Sequence, residues 1–286
     1  MPAPKKNNKK AQQRYIRKSK APPTNVWGAP KKKRTPQILS DPSVLDYPVR
    51  LNRYIARAGV CSRREADDLI SRGRVAVDGE TVSELGSKID EEQIVTVRGK
   101  RIRPAAHIYL ILNKPPDTIT TASDEKGRTT VLDLIAQDRF TDKGLFPVGR
   151  LDRHTRGVLL ITNDGKLAHR LMHPSFEIEK VYRVQTETLV TDEDLELLRT
   201  GIELEDGPAK ADSIDRVEDG RGFEVGISIH EGRNRQIRRM FEKLGHVVKR
   251  LERVRYAGLT STGVRPGKWR LLKEKEILKI YKTVDL

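Results

Sequence analysis

Three blocks of polar residues in the second half of the chain could support chemistry. The first, Gly149–Gly157, reads GRLDRHTRG and precedes an apolar run, Val158–Ile161, that predicts a buried strand. It places one carboxylate, Asp152, among three arginines, and neighbouring positive charge keeps a carboxylate ionised. An ionised carboxylate can act as a nucleophile or a base. The alternative is that Asp152 is one member of a surface ion pair.

The second block is Glu179–Val184, EKVYRV, whose alternation of polar and apolar residues predicts a strand. Because the side chains of a strand alternate between its faces, Lys180 and Tyr182 should lie on the same face. Beside a carboxylate, a tyrosine can stack on a flat ring and relay a proton through its hydroxyl. The alternative is a half-buried packing residue.

The third block is His230–Met240, HEGRNRQIRRM, which enters a predicted helix that Gly245 ends. Its arginines lie at the start of that helix, where positive charge opposes the helix dipole. This placement favours arginines that face phosphates or a carboxylate. A solvated basic helix is the alternative, and it suits Arg239 and Lys243 best.

A small basic module, residues 49–103, precedes these blocks. A first amphipathic helix runs from Leu51 to Ala58, and Ser62 with Glu65 forms a capping box that opens a second helix. Asp78-Gly79 then predicts a β-hairpin. Because like charges repel, the density of arginine here indicates a polyanionic partner, which would be contacted by Arg50, Arg53, Arg57, Arg63, Arg64, Arg72 and Arg74.

The chain has a net charge of +16, and residues 1–40 carry twelve Lys or Arg and no Asp or Glu. We expect residues 1–48 to form a disordered arm, since such a sequence cannot bury enough apolar surface to fold alone. The arm would bind a polyanion by counterion release. A nuclear signal at Lys31–Arg34 and a solubilising tail are the alternatives.

Other compositional features restrict the class of protein. No run approaches the roughly 18–20 apolar residues of a membrane span, and the first residues lack the apolar core of a signal peptide. The one cysteine, Cys61, cannot form an internal disulfide, which agrees with a cytoplasmic location. We therefore expect a cytoplasmic monomer with no membrane contact.

The module resembles a known RNA-binding domain. The run RLNRYIARAGVCSRREADDLISRGRVAVDGE, residues 50–80, is similar to the S4 domain of ribosomal protein S4 and of many RNA-modifying enzymes. The resemblance implies structured RNA as the partner, recognised by its phosphates and shape more than by its sequence.

The polar blocks resemble an enzyme family. YLILNKPPD, GRLDRHTRGVLLITND, KVYRV and EGRNRQIRRMFEKLGH are similar to the signature blocks of the RsuA/RluB/RluE/RluF group of pseudouridine synthases, and they follow one another in that family's order. The resemblance implies that Asp152 is the catalytic nucleophile or base, that Tyr182 packs on the uracil, and that Arg233 pairs with Asp152. The remaining basic and polar positions of the blocks would contact RNA: Arg150, Arg153, Arg156, Arg235, Gln236 and Arg238.

Such a protein would isomerise a uridine of ribosomal RNA, preferentially of the large subunit, to pseudouridine. Isomerisation oxidises and hydrolyses nothing, so we expect no cofactor and no metal. The fold should be α+β. The S4-like α/β module would be followed by a catalytic domain, residues 104–286, with a mixed, mostly antiparallel sheet flanked by helices.

Other functions remain open from the sequence. The same chemistry could act on small-subunit RNA, or a non-catalytic ribosome-assembly protein could have kept the fold. A metal-dependent nuclease would need clustered carboxylates, whereas arginines surround Asp152. His169 and His173 have a spacing that could bind a metal, but no third ligand is evident.

Overall fold

The computed structural model describes residues 45–122, 124–135, 140, 143–218 and 222–286. The predicted basic arm therefore lies outside the described residues, except for residues 45–48. Leu45, which we assigned to the arm, is buried in the core of the amino-terminal module. Within the described ranges, no helix is long and apolar enough to cross a membrane.

The amino-terminal module consists of two helices beside short strands. The capping box of Ser62 and Glu65 is confirmed, because the Ser62 hydroxyl accepts from the Glu65 amide and the Glu65 carboxylate accepts from the Ser62 amide. The elements are β1 (Val49–Arg50), α1 (Leu51–Arg57), α2 (Arg63–Ser71), β2 (Val75–Val77), β3 (Glu80–Thr81), β4 (Lys88–Ile89), β5 (Val95–Val97) and β6 (Lys100–Arg101).

The larger domain is built on one sheet. Its strands are β7 (Tyr109–Lys114), β8 (Phe146–Pro147), β9 (Arg156–Thr162), β10 (Lys180–Thr186), β13 (Ser213–Arg216), β14 (Glu224–Ile229), β15 (Val248–Tyr256) and β16 (Trp269–Leu271). A separate hairpin is formed by β11 (Ile202–Leu204) and β12 (Gly207–Ala209). The helices are α3 (Gly165–Met172), α4 (Asp192–Thr200), α5 (Gln236–Lys243) and α6 (Glu274–Thr283).

The strand order is β13-β14-β10-β15-β9-β7-β16, and β8 pairs with β9. Only the β15–β9 pair is parallel among the paired strands of this sheet, so the predicted mixed, mostly antiparallel sheet is confirmed. Helices cover both faces: α4 and α5 pack on one apolar cluster, and α3 and α6 pack on the other. The apolar residues of β9 follow one another without alternation because both faces of this strand are buried.

Candidate active site

One row of residues crosses the centre of the sheet and brings the first and second polar blocks together. In register, Lys114 on β7 faces Gly157 on β9, Gly157 faces Arg253 on β15, and Arg253 faces Tyr182 on β10. Gly157 allows the parallel strand to approach, since a Cβ atom there would lie 2.1 Å from the Arg253 carbonyl oxygen. The first block enters this row from the loop that precedes β9.

The loop that carries Asp152 is held from inside by a lysine. Lys114 is fully buried, and its ammonium group donates to the carbonyl oxygens of Asp152 at 3.1 Å, Arg153 at 3.1 Å and Thr155 at 2.8 Å. A fourth bond, of 3.1 Å, goes to Pro115. Because its backbone is fixed in this way, the loop presents the half-buried Asp152 side chain in a defined position.

A second clamp holds the loop just before Asp152. The Thr120 hydroxyl donates to the Leu151 carbonyl oxygen at 2.8 Å and accepts from the Leu151 amide at 3.2 Å. Both partners are buried. The backbone is therefore fixed on both sides of Asp152, which is the preorganisation that a nucleophile or base requires.

The charge of Asp152 affects the pKa values of two cations, Lys114 and Arg238. Burial lowers the pKa of Lys114 to about 8, and the charges of Asp152 and Asp117 oppose that shift. Burial and the neighbouring Arg235 lower the pKa of Arg238, and Asp152 again opposes. Arg238 is fixed by a 2.9 Å bond from its Nη1 to the Val248 carbonyl oxygen. The positive environment of Asp152 thus comes from β7 and from α5.

Arg233, predicted to pair with Asp152, is bonded to other residues in this structure. Arg233 donates to Glu231 and to the turn between β11 and β12, with bonds of 3.1 Å to the Gly207 carbonyl oxygen and 2.6 Å to that of Pro208. It also pairs with Asp206 at 3.2 Å. Arg233 precedes α5 and points to this hairpin, whereas Arg238 lies within α5 and bonds to the Val248 carbonyl oxygen. Sequence spacing did not reveal which arginine faces the carboxylate.

Tyr182 lies in the sheet between Ile227 and Arg253 and is 9% exposed. Its ring belongs to the apolar cluster under α4 and α5. Near it, the Lys180 ammonium donates to the carbonyl oxygens of Ile178 and His230, which joins the second block to the third. Burial, followed by the neighbouring charge of Arg253, lowers the pKa of Lys180 to about 8.

Most of the predicted RNA contacts are accessible, but two are not. Gln236 is 3% exposed and bonds to Glu231 and to the Arg233 amide, so it braces the loop instead of facing solvent. Arg57 is 7% exposed and lies at the junction with the larger domain. The others are exposed or half-exposed: Arg50, Arg53, Arg63, Arg64, Arg72, Arg74, Arg150, Arg153, Arg156, Arg235 and Arg238.

A buried polar network at this junction was not predicted. Asp164 caps α3 and accepts from the Tyr109 hydroxyl at 3.0 Å and from the Tyr281 hydroxyl. Its charge opposes the effect of burial, which lowers the pKa of Arg57. His107 lies 3.8 Å from Asp164, and burial lowers the pKa of His107 to about 4. The network thus joins a helix of the module to three elements of the larger domain.

The histidine pair carries no metal site. The rings of His169 and His173 have their centroids 5.2 Å apart. No group of three or more His, Cys, Asp or Glu side chains is placed to hold a metal ion among the residues that the structure describes.

Comparisons with known proteins identify the family of this chain. A model described as RNA pseudouridylate synthase matches residues 108–243, and an S4 domain model matches residues 49–95. A Bacillus subtilis protein named ribosomal large subunit pseudouridine synthase B is 41% identical over 82% of this chain and 97% of its own. The chain belongs to the RNA pseudouridylate synthase family. The enzyme class that the motifs predicted is therefore confirmed.

Two further relatives support the assignment of this synthase. An RNA pseudouridine synthase of Aquifex aeolicus is 42% identical over 83% of this chain and 96% of its own. A crystal structure of a pseudouridylate synthase superimposes with a TM-score of 0.58 at 28% identity, over 81% of this chain and 99% of that one. The relatives thus span the module and the larger domain together.

Proposed function

We propose that this synthase isomerises a uridine of ribosomal RNA, preferentially of the large subunit, with Asp152 as nucleophile or base. The observation that carries the proposal is the fixed loop: Asp152 is half-buried while Lys114 and Thr120 bind the backbone on both sides of it. The named relative from Bacillus subtilis and the S4 domain support ribosomal RNA as the substrate.

Isomerisation breaks the bond from the ribose C1′ to N1 of uracil and forms a bond from C1′ to C5. The C5 proton must leave, and N1 gains a proton. The target base has to leave its stack before any atom of the protein can reach C1′. Asp152 would attack or deprotonate the nucleotide as a carboxylate, and no electron acceptor or water is consumed.

We assign to Arg238 the role of the cation that pairs with Asp152. The charge of Asp152 opposes the lowering of the pKa values of Arg238 and Lys114, and a bond to the Val248 carbonyl oxygen fixes the Arg238 side chain near the start of α5. A preorganised cation stabilises the carboxylate and the negative charge that develops on the departing uracil.

Tyr182 would pack on the uracil while the glycosidic bond is broken. It occupies the row of the sheet that also contains Gly157, near the start of β9, which follows the Asp152 loop directly. Its hydroxyl is the candidate base for the C5 proton. Replacement of Tyr182 by Phe keeps the ring and separates stacking from proton transfer.

The test is to map pseudouridine in both ribosomal RNAs from cells that lack this chain and to restore it with wild type or Asp152→Asn. We expect one large-subunit position to lose the modification, wild type to restore it, and the variant to fail while it binds RNA and folds normally. Loss of the modification at a small-subunit position would show that small-subunit RNA is the substrate instead. Restoration by Asp152→Asn would contradict the role of Asp152. Activity of the purified chain in EDTA separates this reaction from a metal-dependent nuclease.

A further inference from the structure

A cleft of about 930 Å³ separates helices α1 and α2 of the module from loops of the larger domain. This volume lies near the upper end of the roughly 300–1,000 Å³ that small-ligand sites occupy, so the cleft can hold a nucleotide but not a duplex. Neither the row of the sheet nor the Asp152 loop lines it, so its chemistry is separate from that of the candidate active site.

One wall of the cleft is cationic. Arg50, Arg53 and Arg63 line it, and none of the three has an ion-pair partner among the residues that the structure describes. Three side chains of unsatisfied positive charge on one wall favour an anionic occupant.

The acidic residues of the cleft are already occupied. Asp46 pairs with Lys166 at 3.4 Å, the Glu65 carboxylate accepts from the Ser62 amide at 2.7 Å, and Asp133 accepts from the Thr130 amide at 2.8 Å. These carboxylates serve local structure, and none of them forms an ion pair with an arginine of the wall among the described residues.

The opposite wall is apolar and aromatic, with Ala122, Leu145 and Phe146. Phosphates on arginines and bases on aromatic or apolar faces are the two components of single-stranded nucleic-acid recognition. A protein segment without acidic residues would leave the arginines without partners, and a duplex would not expose its bases to the apolar wall.

Both loops of the apolar wall lead to Asp152. Ala122 follows Thr120, whose hydroxyl bonds to the backbone of Leu151 in both directions. Phe146 precedes Asp152 by six residues, which limits the distance between their Cα atoms to about 22 Å. A strand with its target base at Asp152 can therefore reach the cleft within a few nucleotides.

We propose that this cleft binds a single-stranded segment of RNA that flanks the target uridine, with its phosphates on Arg50, Arg53 and Arg63 and a base against Phe146. The inference rests on the proposed function, because it places the cleft beside the reacting nucleotide of the same RNA. It adds a binding subsite for unpaired nucleotides between the S4 domain and the catalytic domain.

The native chain supplies a probe, because its one cysteine, Cys61, lines the cleft. The full chain is alkylated with iodoacetamide at pH 8.5, with and without a single-stranded oligouridylate of about eight nucleotides. At a concentration ten times its Kd, the oligonucleotide should slow alkylation about tenfold, because about a tenth of the thiol stays free. A duplex of equal strand length should not protect the thiol.

Matched variants separate the cleft from general electrostatics. Arg53→Ala with Arg63→Ala removes two charges from the cleft, and Lys100→Ala with Arg101→Ala removes two charges from the exposed strand β6. The first pair should raise the oligonucleotide concentration for half protection about tenfold, as the loss of contacts worth about 1.4 kcal/mol would. The second pair should leave it nearly unchanged, and both proteins should melt like wild type.

A photocrosslink identifies the wall that the base contacts. An oligonucleotide with one 4-thiouridine should form adducts within residues 143–148. Full binding without protection of Cys61, equal losses in both variant pairs, or adducts confined to other segments would each overturn the proposal. Protection is measured without turnover, so a chain that protects Cys61 but makes no pseudouridine contradicts only the proposed function.

Discussion

Replacement of Lys114 by methionine should cost both stability and catalysis. Methionine keeps most of the length of the side chain but removes the ammonium group that holds four carbonyl oxygens. The bond to Thr155 is fully buried, whereas the bonds to Asp152 and Arg153 are partly buried, so water can replace the latter. A buried carbonyl without a donor costs about 1–3 kcal/mol, and we expect a total loss of about 3 kcal/mol.

The catalytic loss should be larger than stability alone explains. A displacement of about 1 Å in a reacting group can reduce the rate about 100-fold, and Lys114→Met frees the backbone of the Asp152 loop to move by such a distance. Single-turnover kinetics on a ribosomal RNA transcript labelled with tritium at C5 of uridine measures this rate, because the reaction releases that hydrogen. The urea midpoint at pH 7 measures the stability.

The matched control is Lys180→Met. Lys180 also joins backbone carbonyl oxygens, and burial also lowers its pKa to about 8, but it holds Ile178 and His230 instead of the Asp152 loop. It should lose stability and keep more of the saturated rate. If folded Lys114→Met turned over like wild type, the lysine would not position Asp152 and the reasoning would fail.

Three further predictions follow from individual contacts. Arg238→Ala should reduce the saturated rate about 100-fold, because it removes the cation that we assign to Asp152. Arg233→Ala should mainly lower the melting temperature, because Arg233 binds the β11–β12 hairpin. A larger loss of rate in Arg233→Ala than in Arg238→Ala would refute our assignment. The pKa of His107 is about 4 in the folded chain, and its ordinary value is 6.5. As the pH falls, His107 therefore takes up a proton in the unfolded chain before it does so in the folded chain. The free energy of unfolding should drop by about 3 kcal/mol from pH 6.5 to 4. His107→Asn should flatten that dependence in urea titrations, and an unchanged profile would exclude His107 as its source. Deletion of residues 1–40 should weaken RNA binding and flatten log affinity against log salt, which filter binding across a salt series measures; an unchanged slope would show that the arm does not contact phosphates.

Local patterns in the sequence determined the elements of the fold and the enzyme class. Strand alternation around Tyr182, the apolar run after Gly157 and the capping box at Ser62 depend on neighbouring residues, so each could be predicted without knowledge of distant contacts. The polar blocks carried enough specific spacing for the family resemblance, which the comparisons confirmed.

The pairing of side chains was decided by tertiary structure. Four arginines follow His230 within nine residues, and only the tertiary structure distinguishes Arg233, which binds the β11–β12 hairpin, from Arg238, which bonds to Val248. Burial of Arg57 likewise requires the module to dock beside Asp164, more than 100 residues later in the chain.

Lys114 shows the same division most clearly. In the sequence it is a polar residue at the end of an apolar strand, and such lysines ordinarily reach solvent. The fold buries it because β7 pairs with β9, and the loop before β9 then places its carbonyl oxygens around the ammonium group. The acceptors are 38–41 residues away in sequence, and only strand register brings them together. The sequence by itself therefore determined which residue types meet in this enzyme, and the register of the sheet decided which of them touch.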